Sequence, residues 1–190
     1  MLMPKFAAID NDFLNHLVDI KDQRDAYELI LRFFTAMDFT VVMHPLVRLH
    51  EKNPYSNALE DRLFDEGVII VPELSDIWTS KPGGKPFYET MVKQLYFRFT
   101  GQKYPCNDVC AEWKKQHSLG EIHSAAMCIF MEYNYLLTDD KDAVKNLGAA
   151  VTRATQSSVN VLNREMCCNI LKAAGVLNHN ERKRLSYKRV

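Results

Sequence analysis

No stretch of the 190-residue sequence approaches the length of an apolar membrane span, so the chain is expected to stay out of the bilayer. The opening residues, MLMPKFAAIDNDFLNHL, reach an acid at position 10, early for the apolar centre of a signal peptide, so none is expected. Net charge is also missing. Twenty-four Lys and Arg cancel 24 Asp and Glu, which excludes a global field that would recruit nucleic acid and leaves local patches as the only electrostatic signal. Five cysteines, an odd number without framework spacing, do not make a disulfide scaffold; they point to a reducing compartment, and the cytoplasm is the expected location. Cys106 and Cys110 stand four apart with His117 nearby, yet nothing supplies the second pair of a structural zinc site. The segment SKPGGKP at 80–86 has the glycines and lysines of a phosphate loop without its strand-to-helix setting or its Lys-Ser/Thr ending, and reads as a flexible connection.

What the chain does contain is a 47% hydrophobic composition, enough for one cored domain over 1–190. Short apolar runs alternate with helical periodicity. KFAAID reads as a buried strand closing on Asp10, and NDFLNHLVDI starts a helix. QRDAYELILRFFTAMD puts Ala26, Leu29, Ile30, Phe33 and Phe34 on one helical stripe. FTVVMHP is a second strand stopped by Pro45, followed by a helical LVRLHEK with Leu46, Val47 and Leu49 inward. Gly67 ends another helix before a strand at 68–71. Ser118, three residues before Glu121, has capping-box spacing for a helix that delivers Ala125, Ala126, Ile129 and Phe130 to a core. YLLTDD at 135–140 is a strand, DAVKNLGA a short helix, and the last segment a short strand and a helix before a basic tail, 181–190. This alternation predicts an α/β fold, a parallel central sheet flanked by helices, with its ligand site at the carboxyl ends of the strands.

The segment 75–118 differs in character. From Lys81 to Lys115 it holds seven bases against three acids, with Tyr and Phe interleaved. It predicts a helix, PFYETMVKQLYFRF, then a less regular stretch. Lys93, Arg98 and Lys103 are candidates for phosphate contacts, with Tyr96 or Phe97 as stacking surfaces and Arg153, Arg182, Lys183 and Arg184 extending the surface. A buried aromatic stripe on an ordinary amphipathic helix is the alternative.

The acids carry the functional question. If strands end at Asp10 and Thr138, their trailing acids share one sheet edge, where Glu51 and Glu121 arrive on following helices. Unit charges about 4 Å apart repel by roughly 4 kcal/mol at an effective dielectric near 20, so such a cluster calls for a counter-charge. A hard divalent cation supplies one. Each acid also has an ordinary alternative: Asp10 as a helix cap, Glu51 on an exposed helix end, Glu121 in the capping box, and Asp139 and Asp142 as helix-start acids.

The order of AAIDNDFL, VVMHPLVRLHE and LGEIHSAAMCIFMEYNYLLTDDKDA resembles that of the PIN-domain ribonucleases, one branch of which carries a Gly-Glu-x-Glu helix start followed by a strand ending in Asp-Asp. The resemblance implies a PIN-like, Rossmann-like three-layer sandwich with 75–118 as an insertion. It implies that Asp10, Glu51, Glu121 and Asp140 are the catalytic acids, and that Asp10, Glu121, Asp139 and Asp140 hold Mg2+ or Mn2+, with Asp12 in support. It implies hydrolysis of RNA phosphodiesters by a metal-activated water, as in the toxin of a toxin–antitoxin pair, with RNA, an antitoxin protein and a second copy of the chain as expected partners. Two positions depart from the family pattern: Asp12 stands where asparagine or serine is usual, and His123 where a second acid is usual.

Two other readings stay open. The pair Asp10 and Asp12 fits the Asp-x-Asp of haloacid-dehalogenase-like phosphatases, although Leu14 stands where a threonine-like residue is expected and Glu51 and Glu121 are left without a task. A PIN-like module that binds RNA without cutting it is the other.

Overall fold

The computed structural model describes residues 5–20, 25–51, 58–110 and 118–186. Five strands, β1 (Lys5–Ile9), β2 (Phe39–Met43), β3 (Ile69–Ile70), β4 (Tyr135–Leu137) and β5 (Asn160–Leu162), form one all-parallel sheet in the order β3-β2-β1-β4-β5. Parallel neighbours cannot be joined by a tight turn, so each return to the sheet's starting edge consumes a helical crossover. Among the described residues these are α1 (Asn11–Val18) and α2 (Ala26–Met37), α3 (Pro45–His50) and α4 (Ala58–Asp65), then α5 (Leu74–Thr79), α6 (Gly84–Thr100) and α7 (Leu119–Met131). A π-helical turn, Ala143–Leu147, leads into α8 (Gly148–Thr155), and α9 (Arg164–Ala173) and α10 (His179–Leu185) follow β5.

Strand side chains alternate between the two faces of the sheet, and two cores follow from that alternation. Ala7 and Ile9, Val41 and Met43, and Leu137 face one core; Ala8, Val42 and Leu136 face the other. The first core takes Phe13, Leu17, Ile30, Phe33, Leu63, Cys168 and Leu185 from the helices on its side. The second takes Ile77, Val92, Leu95, Ala126, Phe130 and Val151. The result is the three-layer α/β sandwich that the alternation predicts, and α2 buries all five residues of its expected stripe.

Several local expectations are corrected. Pro45 does not merely stop β2: it occupies the first position of α3, where a missing N–H costs no hydrogen bond, and His44 caps the helix by accepting the Leu46 N–H at Nδ1. Leu49 is 69% exposed, because this six-residue helix has one inward side and Leu46 and Val47 fill it. The Gly-Lys-Pro of SKPGGKP opens α6, and Gly83 makes the left-handed turn before it, at φ +95°. β4 closes at Leu137, so Thr138, Asp139 and Asp140 lie beyond it. The described part of the basic tail is the packed helix α10, capped by Asn178 and Glu181 and anchored by the fully buried Leu185.

The chain leaves β1 toward β2 and β3, then returns to pair β4 on the other side of β1. Such a reversal opens a crevice at the carboxyl ends of the strands, here between β1 and β4. The ladder continues past the strands, with Asp10 N–H donating to Leu137 O at 3.0 Å and Thr138 N–H to Leu162 O at 3.0 Å, so Asp10 and the 138–140 loop are delivered side by side.

Candidate active site

Asp10 ends β1 in extended backbone and caps α1. Its Oδ1 accepts the Phe13 N–H at 2.8 Å. This cap accounts for one oxygen only. Oδ2 is buried and meets no hydrogen-bond donor at proper geometry among the described residues. With the residue 2% exposed, burial drives its pKa well above the carboxylate range and Glu121 pushes the same way; the Thr138 hydroxyl and the Phe13 amide ease it.

Four further acids line the same cavity of about 360 Å³, together with Asn11 and Ser118: Asp12, Glu51, Glu121 and Asp140. Glu51 sits at the C-cap of α3, and its main-chain carbonyl accepts Asn11 Nδ2 at 2.7 Å, which ties α3 to the start of α1. Its carboxylate lies against the α-carbon of Gly120, where a Cβ would come within 2.5 Å of Oε1. Burial first, then Glu121 and Asp12, raise its pKa to about 7, against the Gly120 N–H that stabilises the charge. Glu121, in the first turn of α7, is raised to about 7 by burial, with Asp140 and Asp12 adding repulsion. Asp140 splits its duties as Asp10 does: Oδ1 accepts the Ala143 N–H at 2.6 Å, while the residue lines the cavity.

The capping box expected for Ser118 and Glu121 is absent. Ser118 has a left-handed backbone at φ +71° and its side chain makes no cap hydrogen bond. The ordinary explanation for Glu121 falls away with it. Asp139 is also corrected. Its carboxylate turns out of the acidic cavity into a buried pair with Arg164, taking the Arg164 N–H at Oδ1 (3.1 Å) and Nε at Oδ2, with His16 Nδ1 at 3.0 Å from Oδ2. Arg164 also donates to the carbonyls of His16 and Leu185, at 3.0 and 2.7 Å. Asp139 therefore serves as a lock between the β4 loop, α1, α9 and α10, not as an expected metal ligand.

The donor set suits a hard cation: all carboxylate oxygen, one atom of it orphaned, with neighbours that repel one another. Among the described residues no three His, Cys, Asp or Glu side chains are gathered as a formed metal cage. The acids surround the cavity in an open arrangement, in which burial and mutual repulsion raise both glutamates to about 7.

The basic candidates lie elsewhere. Lys93, on α6, donates to the Asn107 carbonyl at 3.2 Å, while Arg98, Lys103 and Arg153 are exposed. Tyr96 is only 7% exposed and packs edge-on against Tyr104, so no base can stack on it; Phe97, 52% exposed, remains free to do so. Arg182 engages Asn169 and Glu165, and Arg184 pairs with Asp25, so both hold α10 in place. Burial pushes the Cys110 thiol up to about 11, and His117 lies outside the described residues.

Sequence reasoning gave no task to His44, Tyr88 or His123, which form a buried hydrogen-bonded chain behind the acids. Its partners are 44 and 35 positions apart, so no local pattern signals it. No family model, no curated protein and no solved structure matches the chain.

Proposed function

We propose that the chain is a divalent-metal-dependent endoribonuclease with Asp10, Glu51, Glu121 and Asp140 as its catalytic acids, and Asp12 in support. The observation that carries the reading is the convergence of five acids on one cavity, where Asp10 is buried and its Oδ2 has no hydrogen-bond donor at proper geometry among the described residues. An isolated fold has no use for that arrangement, since burial and mutual repulsion both oppose ionisation there. A bound Mg2+ or Mn2+ supplies Lewis acidity, activating water toward a phosphodiester and steadying the leaving oxygen. The chain's own part is to hold the ion and orient the attack: Asp10 from the sheet edge, Asp140 from the loop beside it, Glu51 and Glu121 from the two helix ends. No nucleophilic side chain is needed. On the same reading, the exposed Arg98, Lys103 and Arg153, with Lys93, meet phosphates, and Phe97 offers a stacking surface.

The phosphatase alternative gains nothing from the geometry. Leu14, at the position where that family's motif has a threonine-like residue, is wholly buried in the core, and Glu51 and Glu121 would be spectators. The decisive assay incubates labelled RNA with Mg2+ or Mn2+: the parent cuts it, and Asp10→Asn and Asp140→Asn do not. Hydrolysis of a generic phosphate ester with RNA left whole would overturn the nuclease in favour of a phosphatase. RNA binding without cleavage in either metal would leave a binding module.

A further inference from the structure

The polar contacts that link His44, Tyr88, His123 and Tyr104 define a single proton order. His44 Nδ1 accepts the Leu46 N–H at 3.1 Å, so its proton is on Nε2, which lies 2.8 Å from Tyr88 Oη. The Tyr88 hydroxyl, having accepted there, donates to His123 Nδ1 at 2.7 Å. That leaves the His123 proton on Nε2, directed at the Val109 carbonyl and Tyr104 Oη, the latter 3.4 Å away. Tyr104 in turn donates to Val109 O at 3.2 Å. His44, Tyr88 and His123 are all fully buried, and each ring offers one nitrogen as an acceptor, to the Leu46 N–H and the Tyr88 hydroxyl, which a protonated imidazole could not do. Every donor then meets an acceptor, and both tautomers follow from the partners.

The chain joins three elements. His44 caps α3, which ends in Glu51; His123 stands two residues after Glu121 on α7; Tyr88 belongs to α6, in the segment that sequence reasoning treated as an insertion. α3 also meets α7 where the Glu51 carboxylate rests on Gly120. Without the hydroxyl of Tyr88 the contacts that His44 Nε2 and His123 Nδ1 make with it are lost, and with them the polar link between α3 and α7.

We propose that Tyr88 is a positioning residue: its hydroxyl, bridging His44 and His123, fixes α3 against α7 and so seats the Glu51 carboxylate on Gly120 beside Glu121. The inserted helix α6 is then a brace for the acidic cavity in addition to any surface it offers to RNA. The seating stands on geometry alone; its consequence for metal binding rests on the nuclease reading.

The test uses the full chain, metal-free, with two probes. The Gly120 amide resonance reports the seating of Glu51, since that N–H meets its carboxylate, and Mn2+ titration reports the site. Tyr88→Phe keeps the ring and removes the hydroxyl. Expected are an unchanged far-UV spectrum, Gly120 moved toward its position in Glu51→Ala, and Mn2+ binding weakened about tenfold or more, the scale of lost outer-shell support. Imidazole 15N shifts of the parent should report both histidines protonated at Nε2. A Gly120 amide that stays put in Tyr88→Phe, or an Nδ1–H tautomer at either ring, overturns the brace. Should Tyr88→Phe fail to fold, His123→Asn and His123→Leu carry the same test, since an asparagine Oδ1 replaces Nδ1 as acceptor. The first keeps the parent's Gly120 resonance and the second displaces it; equal behaviour of the two overturns the proposal. If Mn2+ does not bind the parent at all, the metal reading fails, while the displaced Gly120 amide still upholds the brace.

Discussion

Replacing Gly120 by alanine adds one methyl group where the cavity wall is tightest. The new Cβ would stand 2.5 Å from Glu51 Oε1, 2.8 Å from Oε2 and 2.9 Å from the carboxyl carbon, against 3.4–4 Å for ordinary contact. The carboxylate must retreat by about 1 Å. Glutamate is flexible enough to do so, which leaves the fold intact. Gly120 lies in the first turn of α7 and is not among the residues at positive φ, so alanine suits the backbone and favours the helix by up to about 1 kcal/mol. Stability and site should therefore separate. In the absence of metal the midpoint of thermal unfolding stays level or rises, while Mn2+ affinity drops on the order of 10–100-fold, about 1.4–2.8 kcal/mol, and RNA cleavage drops with it. The assay is thermal unfolding across a Mn2+ titration, parent beside variant. A variant that unfolds earlier without metal, or that Mn2+ stabilises as strongly as the parent, refutes the reasoning that Glu51 is seated on Gly120 to serve an ion.

Further outcomes can be measured alongside. Glu51 and Glu121 are raised from 4.5 to about 7, so between those values the folded chain holds more protons than the unfolded one; metal-free stability should fall as pH rises through that window, and urea titrations at pH 5 and 8 check the sign. An ion that displaces those protons binds more tightly as pH rises toward 7 and levels off above it, and calorimetry in buffers of different ionisation heat reads the protons released. Asp139→Asn leaves the buried Arg164 guanidinium without its counter-charge and should cost about 3–5 kcal/mol in denaturant unfolding, while Asp140→Asn abolishes cleavage at much smaller cost. Comparable losses for the two would remove the distinction drawn between them. Arg153→Ala should weaken RNA binding evenly across sequences and lower the salt slope by about 1, and an unchanged slope would take Arg153 off the RNA path.

The fold was legible because its signals are local. Short apolar runs ending in Asp10 or Pro45, separated by helical stripes such as Ala26, Leu29, Ile30, Phe33 and Phe34, carry the alternation that a parallel sheet needs, and the sheet is present. The meeting of Asp10, Glu51, Glu121 and Asp140 on one cavity follows from the same alternation, since each stands just past a strand or at a helix end facing the same edge. What sequence reasoning missed depends on partners far away in the chain. Asp139 and Asp140 look alike in sequence, and Arg164, 25 residues later, holds the first away from the cavity together with His16. The spacing of Ser118 and Glu121 suits a capping box, yet the backbone at Ser118 turns left-handed and the box does not form. Leu49 looked inward by composition, but α3 is too short to present a second buried side. Tyr88 was one aromatic among several until His44 and His123 closed on it.

The divided carboxylate of Asp10 has an implication for how such a chain could change. One oxygen begins a helix, a task that serine or asparagine performs about as well; the other has no hydrogen-bond donor at proper geometry among the described residues and is costly to keep in the dark. Replacement of Asp10 by either would thus leave the architecture standing, and on the nuclease reading the descendant would look the same from outside while its cavity had lost its hold on an ion.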